Sequence, residues 1–115
     1  MDKNQVGSII DVQELQNGRD LDVRELLSYF QMHKSLFWSW GARDFQNGYD
    51  RFMRMTVSGH HPKGHVYIRV NGLDLFDVYL TSNRGTIKHV INDVYIEDLF
   101  EILDNRIEKI DKYRV

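Results

Sequence analysis

The stretch HVYIRVNGLDLFDVYL, residues 65–80, constrains the fold more than any other part of the chain. Val66, Ile68 and Val70 alternate with polar or aromatic residues, which is the period of a strand with one buried face. Asn71 and Gly72 follow directly and predict a two-residue type I′ turn, because both tolerate positive φ. We therefore expect a hairpin within an antiparallel sheet.

The same texture of aromatic and β-branched residues, broken by glycine, predicts further strands on both sides of this hairpin. Together with the two strands of the hairpin, they make a meander of about five. The additional strands are LFWSWGARDF (36–45), RFMRMTVSG (51–59) and TIKHVI (86–91).

Two amphipathic helices flank the predicted strands. Asp22 and Glu25 have the spacing of a capping box, so we expect the first helix to run from about Asp22 to His33. The second is predicted to begin at Asn92 or Asp93 and to continue as one long apolar stripe near the end of the chain. Residues 1–20 are expected to be irregular, apart from one short helical turn.

The predicted architecture is a single α+β domain spanning residues 1–115, because one core is what a chain of this length sustains. Both helices are expected on one face of the sheet, which leaves the opposite face open to solvent or a partner. The side chains expected on that open face are Tyr67, Arg69, Phe52, Arg54, His65, Arg43 and Lys88.

Composition excludes several kinds of chemistry. The chain has no cysteine, so disulfides, thiolate nucleophiles and cysteine-based metal sites are ruled out. Its formal net charge is −2, which argues against a strongly basic nucleic-acid binder. Residues 36–90 nevertheless carry seven arginines and lysines against four aspartates, so a basic centre lies between acidic ends.

The pattern at the amino terminus lacks the basic and apolar regions of a signal peptide, and no segment approaches the roughly 20 apolar residues of a membrane span. We therefore expect a cytoplasmic protein with no membrane partner.

The loop between the second and third predicted strands contains His60 and His61, with His65 close behind. Adjacent residues of an extended chain point to opposite sides, so this spacing is poor for a metal site. The histidines remain weak candidates for metal ligands, or for the general base of a small metal-independent hydrolase. The favoured interpretation is a solvated turn with no cofactor and no catalytic residue.

Two further features are expected to be structural. Trp38 and Trp40 are large aromatics and are predicted to lie in the core, although a place on a binding surface stays open. Asp74 and Asp77 are three residues apart, so they would face opposite sides of a strand and act as surface charges that discourage edge pairing.

Three functions follow from the expected open face. The leading hypothesis is a non-catalytic binding or adaptor module that associates with another protein or with its own copy. The first alternative is a weak binder of single-stranded nucleic acid, in which aromatic residues stack on bases and arginines neutralise phosphates. The second alternative is the hydrolase at the histidine loop.

Finally, GHVYIRVNGLDLFDVYLTSNRG followed by DVYIEDLFEILDNRIEKI resembles small proteins carried by gut-bacterial phages or mobile elements. The resemblance covers roughly residues 36–111. It implies a biological context only, because no chemistry is assigned to any residue of those proteins.

Overall fold

The structure is a computed structural model, and it describes residues 4–16, 19–32, 41, 43–48, 50–58 and 64–107. Several predictions fall outside these described residues. They concern the placement of Trp38 and Trp40, the histidines His60 and His61, and the chain beyond residue 107.

Three helices and five strands make up the described part of the chain. In chain order they are α1 (Val12–Gln16), α2 (Val23–Gln31), β1 (Arg43–Gly48), β2 (Phe52–Val57), β3 (Gly64–Val70), β4 (Phe76–Ser82), β5 (Ile87–Val94) and α3 (Ile96–Ile107). Among these residues, no helix combines the length and the apolar character needed to cross a bilayer.

The five strands form one antiparallel sheet in the order β1-β2-β3-β4-β5. This confirms the predicted meander and the α+β class. The register places Met55 opposite Val66 and Val66 opposite Leu80, so apolar residues of neighbouring strands share one side of the sheet. We call this side the front face and the other side the rear face.

The front face holds the larger core. Leu21 and Leu26 from the α2 region and Leu99 and Leu103 from α3 belong to the same buried cluster as the apolar side chains of β2, β3 and β4. Asp22 caps α2, because its Oδ1 accepts a hydrogen bond from the Glu25 backbone N–H at 3.1 Å. Both predicted helices thus pack against the same side of the sheet.

The rear face differs from the prediction, because it is covered in part by the amino-terminal segment. The backbone of Gly7 and Ser8 hydrogen-bonds to Ile87, and the chain then turns into α1. Leu15 of α1 is completely buried and forms a second cluster with rear-face aromatic side chains. The expectation of a rear face left wholly open is therefore wrong, whereas the short helical turn expected within residues 1–20 corresponds to α1.

Polar contacts hold α1 in place despite its five residues, a length that is not stable in isolation. Asp11 Oδ1 accepts the Glu14 backbone N–H at 3.2 Å, which caps the helix. The buried side chain of Asn4 bonds to both the N–H and the carbonyl of Asp11. The cap and the buried Leu15 together fix the segment on the sheet.

The hairpin between β3 and β4 has a longer turn than predicted. Asn71 pairs with Leu75 through a 2.8 Å backbone bond, and three residues lie between them. The Asp74 N–H donates to the Asn71 carbonyl at 3.1 Å, and Asp74 has φ of 60°. This is a type I turn followed by a left-handed residue, and the predicted two-residue type I′ turn is wrong.

The carboxy-terminal helix is also shorter than predicted within the described residues. It has 12 residues and begins at Ile96, not at residue 92 or 93. Strand β5 continues to Val94, which pairs with Phe76, and this pairing delays the helix. A long carboxy-terminal helix is therefore not shown.

Candidate functional site

The residues predicted for an open binding face divide into a buried group and an exposed group. Phe52 and Tyr67 are each only 6% exposed, and they pack with Leu15 and Tyr79 beneath the amino-terminal segment. The rings of Phe52 and Tyr67 lie 5.9 Å apart with an angle of 41° between their planes. Neither ring is available to stack on a ligand, so their assignment to a binding surface is wrong.

Arg69 is likewise tied into the structure. Its side chain is 15% exposed, and its Nε lies 3.4 Å from Asp77 Oδ2. Its guanidinium also lies 5.5 Å from the centre of the Tyr79 ring, a cation–π contact. Arg69 therefore stabilises the rear face, and Asp77, expected at the surface, is a buried partner.

Asp77 belongs to a polar network at the end of the sheet where β3 turns into β4. The Asn71 side-chain amide donates to Asp77 Oδ1 at 2.9 Å and to Asp93 Oδ1 at 2.7 Å. The Asp93 backbone N–H adds a third bond, to Asp77 Oδ1. The hydrogen-bonding groups of this network have partners within it. We therefore interpret the network as structural, and not as a metal site or a carboxylate pair for catalysis.

Part of the rear face remains polar and positively charged, and we call it the arginine patch. It comprises Arg43 on β1, Arg54 and Thr56 on β2, and His65 on β3. Arg43 and His65 both pair with Thr56, one from each side, and Arg54 precedes Thr56 by two residues on the same face. Two arginines and a histidine thus neighbour Thr56 on the same side of the sheet, and the His65 ring contacts its hydroxyl.

Arg54 has few partners for a side chain that is not fully exposed. Its Nη1 donates to Gln46 Oε1 at 3.5 Å, which is at the limit of a hydrogen bond. Its Nε is buried and has no hydrogen-bond partner among the residues that the structure describes. No carboxylate in the described part of the chain forms an ion pair with it.

Arg43 is more exposed than Arg54 and has two weak contacts. Its Nη1 donates to Ser58 Oγ at 3.3 Å, and its Nε lies 3.7 Å from the carboxylate of neighbouring Asp44. An ion pair this long between exposed groups contributes little. The positive charge of Arg43 therefore remains available to a ligand.

Thr56 and His65 form a hydrogen bond in the centre of the patch. The Thr56 Oγ1 lies 3.2 Å from His65 Nδ1, and the protonation of the ring decides which group donates. Partial burial lowers the pKa of His65 below 6.5, and the positive charge of Arg54 lowers it further. Burial also raises the pKa of Tyr67 above 10.0, with an opposing effect from Arg54. Because its pKa is lowered, the imidazole of His65 is mainly neutral at pH 7.

Lys88 does not join the patch. It lies exposed on β5, and β4 separates that strand from β3. Within the described ranges, no group of three or more histidine, aspartate or glutamate side chains could hold a metal ion. His65 contacts Thr56, and the other two loop histidines, His60 and His61, lie outside the described residues.

A cavity of about 350 Å³ lies on the front face beside α2. Its wall is mainly apolar and includes Tyr29, Val70 and Phe76, with Asp22 and Glu25 at its edge. Asp22 already caps α2, so its carboxylate is engaged. The cavity offers less directed chemistry than the arginine patch.

Thr56 was not among the predicted binding residues, although the two-residue period of FMRMTV predicts it on the open face together with Phe52 and Arg54. Comparison of the chain with family models, with curated proteins and with solved structures gave no match. The resemblance to proteins of phages and mobile elements therefore stays a prediction.

Proposed function

We propose that the protein is a non-catalytic binding module that engages an acidic segment of another protein through the arginine patch. The observation that carries this proposal is the pair of arginines beside Thr56, with Arg43 opposite it on β1 and Arg54 two residues before it on β2. Arginine presents its donors in a planar fork that fits a carboxylate. A cation without a strong partner among the described residues favours an anionic ligand.

The arrangement of charge also bears on self-association. A two-fold dimer would bring identical surfaces together, so the arginine patch of one copy would face that of the other. Like charges at such a contact oppose association. A dimer through this surface is therefore disfavoured relative to a complex with an acidic partner.

The geometry gives weaker support to catalysis. Thr56 and His65 resemble a nucleophile and its base, but such a pair needs a third group that orients the base. Among the described residues, no carboxylate hydrogen-bonds to the imidazole of His65, although Asp44 lies close enough to affect its pKa.

The absence of cysteine is consistent with a reducing compartment, and we place the module in the cytoplasm.

Single-stranded nucleic acid is the second candidate. Phe45 on β1 is 38% exposed, but it is adjacent to Gln46, which pairs with Arg54 on the rear face, so its side chain is directed to the other side of the sheet. Stacking on successive bases normally uses several such rings, and Phe52 and Tyr67 are buried. The observations favour the acidic protein segment.

The test compares two labelled probes of equal length, an octaglutamate peptide and an oligothymidylate. Fluorescence anisotropy would be recorded at about 20 mM and about 150 mM salt, which differ strongly in screening. Arg54→Gln and Arg43→Gln are the test variants. Arg84→Gln is the matched control, because Arg84 is exposed in the turn between β4 and β5 and the charge change is identical.

We expect the peptide to bind, and each test variant to weaken binding by about fivefold or more at low salt. The control should stay within about twofold, since its charge lies elsewhere. Equal binding by all variants, or no binding of the peptide at low salt, would contradict the proposal. Preferential binding of the oligothymidylate would favour the nucleic-acid candidate instead.

A further inference from the structure

We propose that Arg43, Arg54, Thr56 and His65 form a subsite for one phosphate monoester group. This inference rests on the proposed function and names the chemical group that the acidic partner segment would carry there. A phosphorylated serine or threonine is the source that fits a protein partner.

The first argument is the number of donors that surround one point. Thr56 lies at the centre, with Arg54 two residues before it on β2, Arg43 opposite on β1 and His65 opposite on β3. Three strands therefore place cationic or polar side chains on the same side of the sheet around Thr56. A carboxylate is satisfied by one arginine, whereas a phosphate dianion has three acceptor oxygens and about twice the charge.

The second argument is the unpartnered donor of Arg54. The Nε–H of Arg54 is buried without an acceptor, and such groups in folded proteins call for an explanation. An oxyanion bound across Nε and one Nη would supply the missing acceptor. Because Nε is covered in the present conformation, this binding requires the guanidinium to turn outward from the sheet.

The third argument is the hydrogen bond between Thr56 and His65. When the imidazole is neutral, Nδ1 can accept the hydroxyl hydrogen of Thr56. When the imidazole is protonated, Nδ1 must donate, so the hydroxyl hydrogen of Thr56, a residue that is 8% exposed, is no longer held by the ring. Protonation of His65 thus adds a charge and releases a donor in the same place.

The charged groups that face His65 decide how easily it takes up this proton. Arg54 from β2 opposes protonation and Asp44 from β1 favours it, while β4 contributes only the uncharged Thr81 beside this position. A bound dianion would reverse the balance by partly neutralising Arg54. Anion binding and protonation of His65 should therefore strengthen each other.

The experiment uses two acidic peptides of the same sequence, one with a central phosphoserine and one with glutamate at that position. Isothermal titration at pH 7.5 would measure their affinities for the protein and three variants. Arg54→Lys retains the positive charge but removes the Nε–H and the planar fork. Thr56→Val removes the hydroxyl, and Arg84→Gln is the control outside the patch. Circular dichroism would verify that each variant folds.

We expect the phosphoserine peptide to bind about tenfold more tightly than the glutamate peptide, since hydrogen bonds to charged groups are strong. Arg54→Lys should remove most of that difference while the glutamate peptide still binds. Arg84→Gln should keep the full difference. If phosphoserine gives no advantage although the glutamate peptide binds, the subsite is refuted and the binding module stands.

A second arm uses inorganic phosphate and sulfate with the protein alone, and nuclear magnetic resonance of the Arg54 Nε–H and the His65 ring. Sulfate keeps its charge between pH 5.5 and pH 7.5, so any change in its affinity reports on the protein. We expect tighter sulfate binding at the lower pH in the wild type, and no such change in His65→Gln. Shifts at Arg54 with free phosphate, combined with no peptide binding, would support the subsite and refute the proposed protein partner. Absence of any shift at Arg54 with either anion would overturn the subsite.

Discussion

Replacing Leu15 with alanine tests whether α1 is part of the core or a loose addition to it. Leu15 is 0% exposed and packs against Phe52, Tyr67 and Tyr79. The substitution removes three carbon atoms, which corresponds to about 2.4 kcal/mol at about 0.8 kcal/mol for each buried methylene. The cavity left between the three rings adds to this loss, and core leucines as a class lose roughly 2 to 5 kcal/mol.

We expect a loss of about 3 kcal/mol in the free energy of unfolding. The higher helix propensity of alanine offsets only a few tenths of this in a helix of five residues. Urea unfolding followed by circular dichroism measures the difference, provided that the slope of the transition is unchanged.

The matched control is Ile9→Ala in the same segment. Ile9 is 62% exposed, so its replacement should change the free energy of unfolding by less than about 0.5 kcal/mol. If Leu15→Ala were no more destabilising than Ile9→Ala, the amino-terminal segment would not cover the rear face as described, and the division of that face into buried and exposed parts would be wrong.

Three further predictions concern the sheet and its charges. Gly64→Ala should lower the free energy of unfolding by about 3 kcal/mol or more, because a Cβ at this position would overlap a backbone carbonyl of β4. At Gly72 a Cβ would meet nothing within 4 Å, so Gly72→Ala should change the free energy of unfolding by no more than about 1 kcal/mol. Asn71→Ala should lose about 2 kcal/mol, since the buried carboxylate of Asp77, the exposed carboxylate of Asp93 and two loop amides lose a partner. Asn83→Ala in an exposed turn should be neutral, and equal urea midpoints for the two variants would refute this. Folding lowers the pKa of His65, so the unfolded chain takes up its proton at a higher pH than the folded chain does. The free energy of unfolding should therefore fall as the pH drops through 6.5 toward the lower pKa of the folded state. Urea titrations of His65→Gln across this pH range should lack the fall, and a pH dependence equal to that of the wild type would contradict the prediction.

The strands were predictable from the sequence because a period of two is a local property. Successive side chains of a strand point to opposite faces, so the alternate positions Met53, Met55 and Val57 lie on one side of β2. The capping residues of α2 were equally local, and Asp22 performs the predicted role. These features needed no knowledge of which segments meet in space.

The cover over the rear face was not predictable in the same way. Alternation shows which residues share a side of a strand, but not whether a distant segment will cover that side. Segment α1 has only five residues and one fully buried side chain, so its helical signal is weak. The available hint was the presence of Phe52 and Tyr67 on the supposedly polar side, because large rings in neighbouring strands rarely remain exposed together.

The turn between β3 and β4 shows how one local error changes charge placement. A two-residue turn at Asn71 and Gly72 would pair Arg69 with Asp74, whereas the observed turn pairs Arg69 with Asp77. The shift of three residues is odd, so it exchanges the two faces of β4. The side chain of Asn71 selects the longer turn, because its Oδ1 accepts the N–H groups of Leu73 and Leu75. This explains why Asp77 is buried.

Of the predicted site, Arg43, Arg54 and His65 lie together in the arginine patch, while Phe52, Tyr67, Arg69 and Lys88 do not belong to it. Phe52 and Tyr67 are outside the patch because the amino-terminal segment buries them. Arg69 is outside it because its side chain forms a buried ion pair with Asp77. Strand order separates Lys88 from the others. Burial by a distant segment, ion pairing and strand order depend on the tertiary fold, and the two-residue period of a single strand does not predict them.

The most direct measurement of this division is the relaxation that a soluble, uncharged gadolinium chelate causes in side-chain resonances of the native protein. The account predicts stronger relaxation of the Arg43 and His65 side chains than of the Phe52 and Tyr67 rings, because the Arg43 side chain is 60% exposed and each ring is 6% exposed. Relaxation of those two rings as fast as that of His65 would contradict the covered rear face, and with it the proposal that binding is confined to the arginine patch.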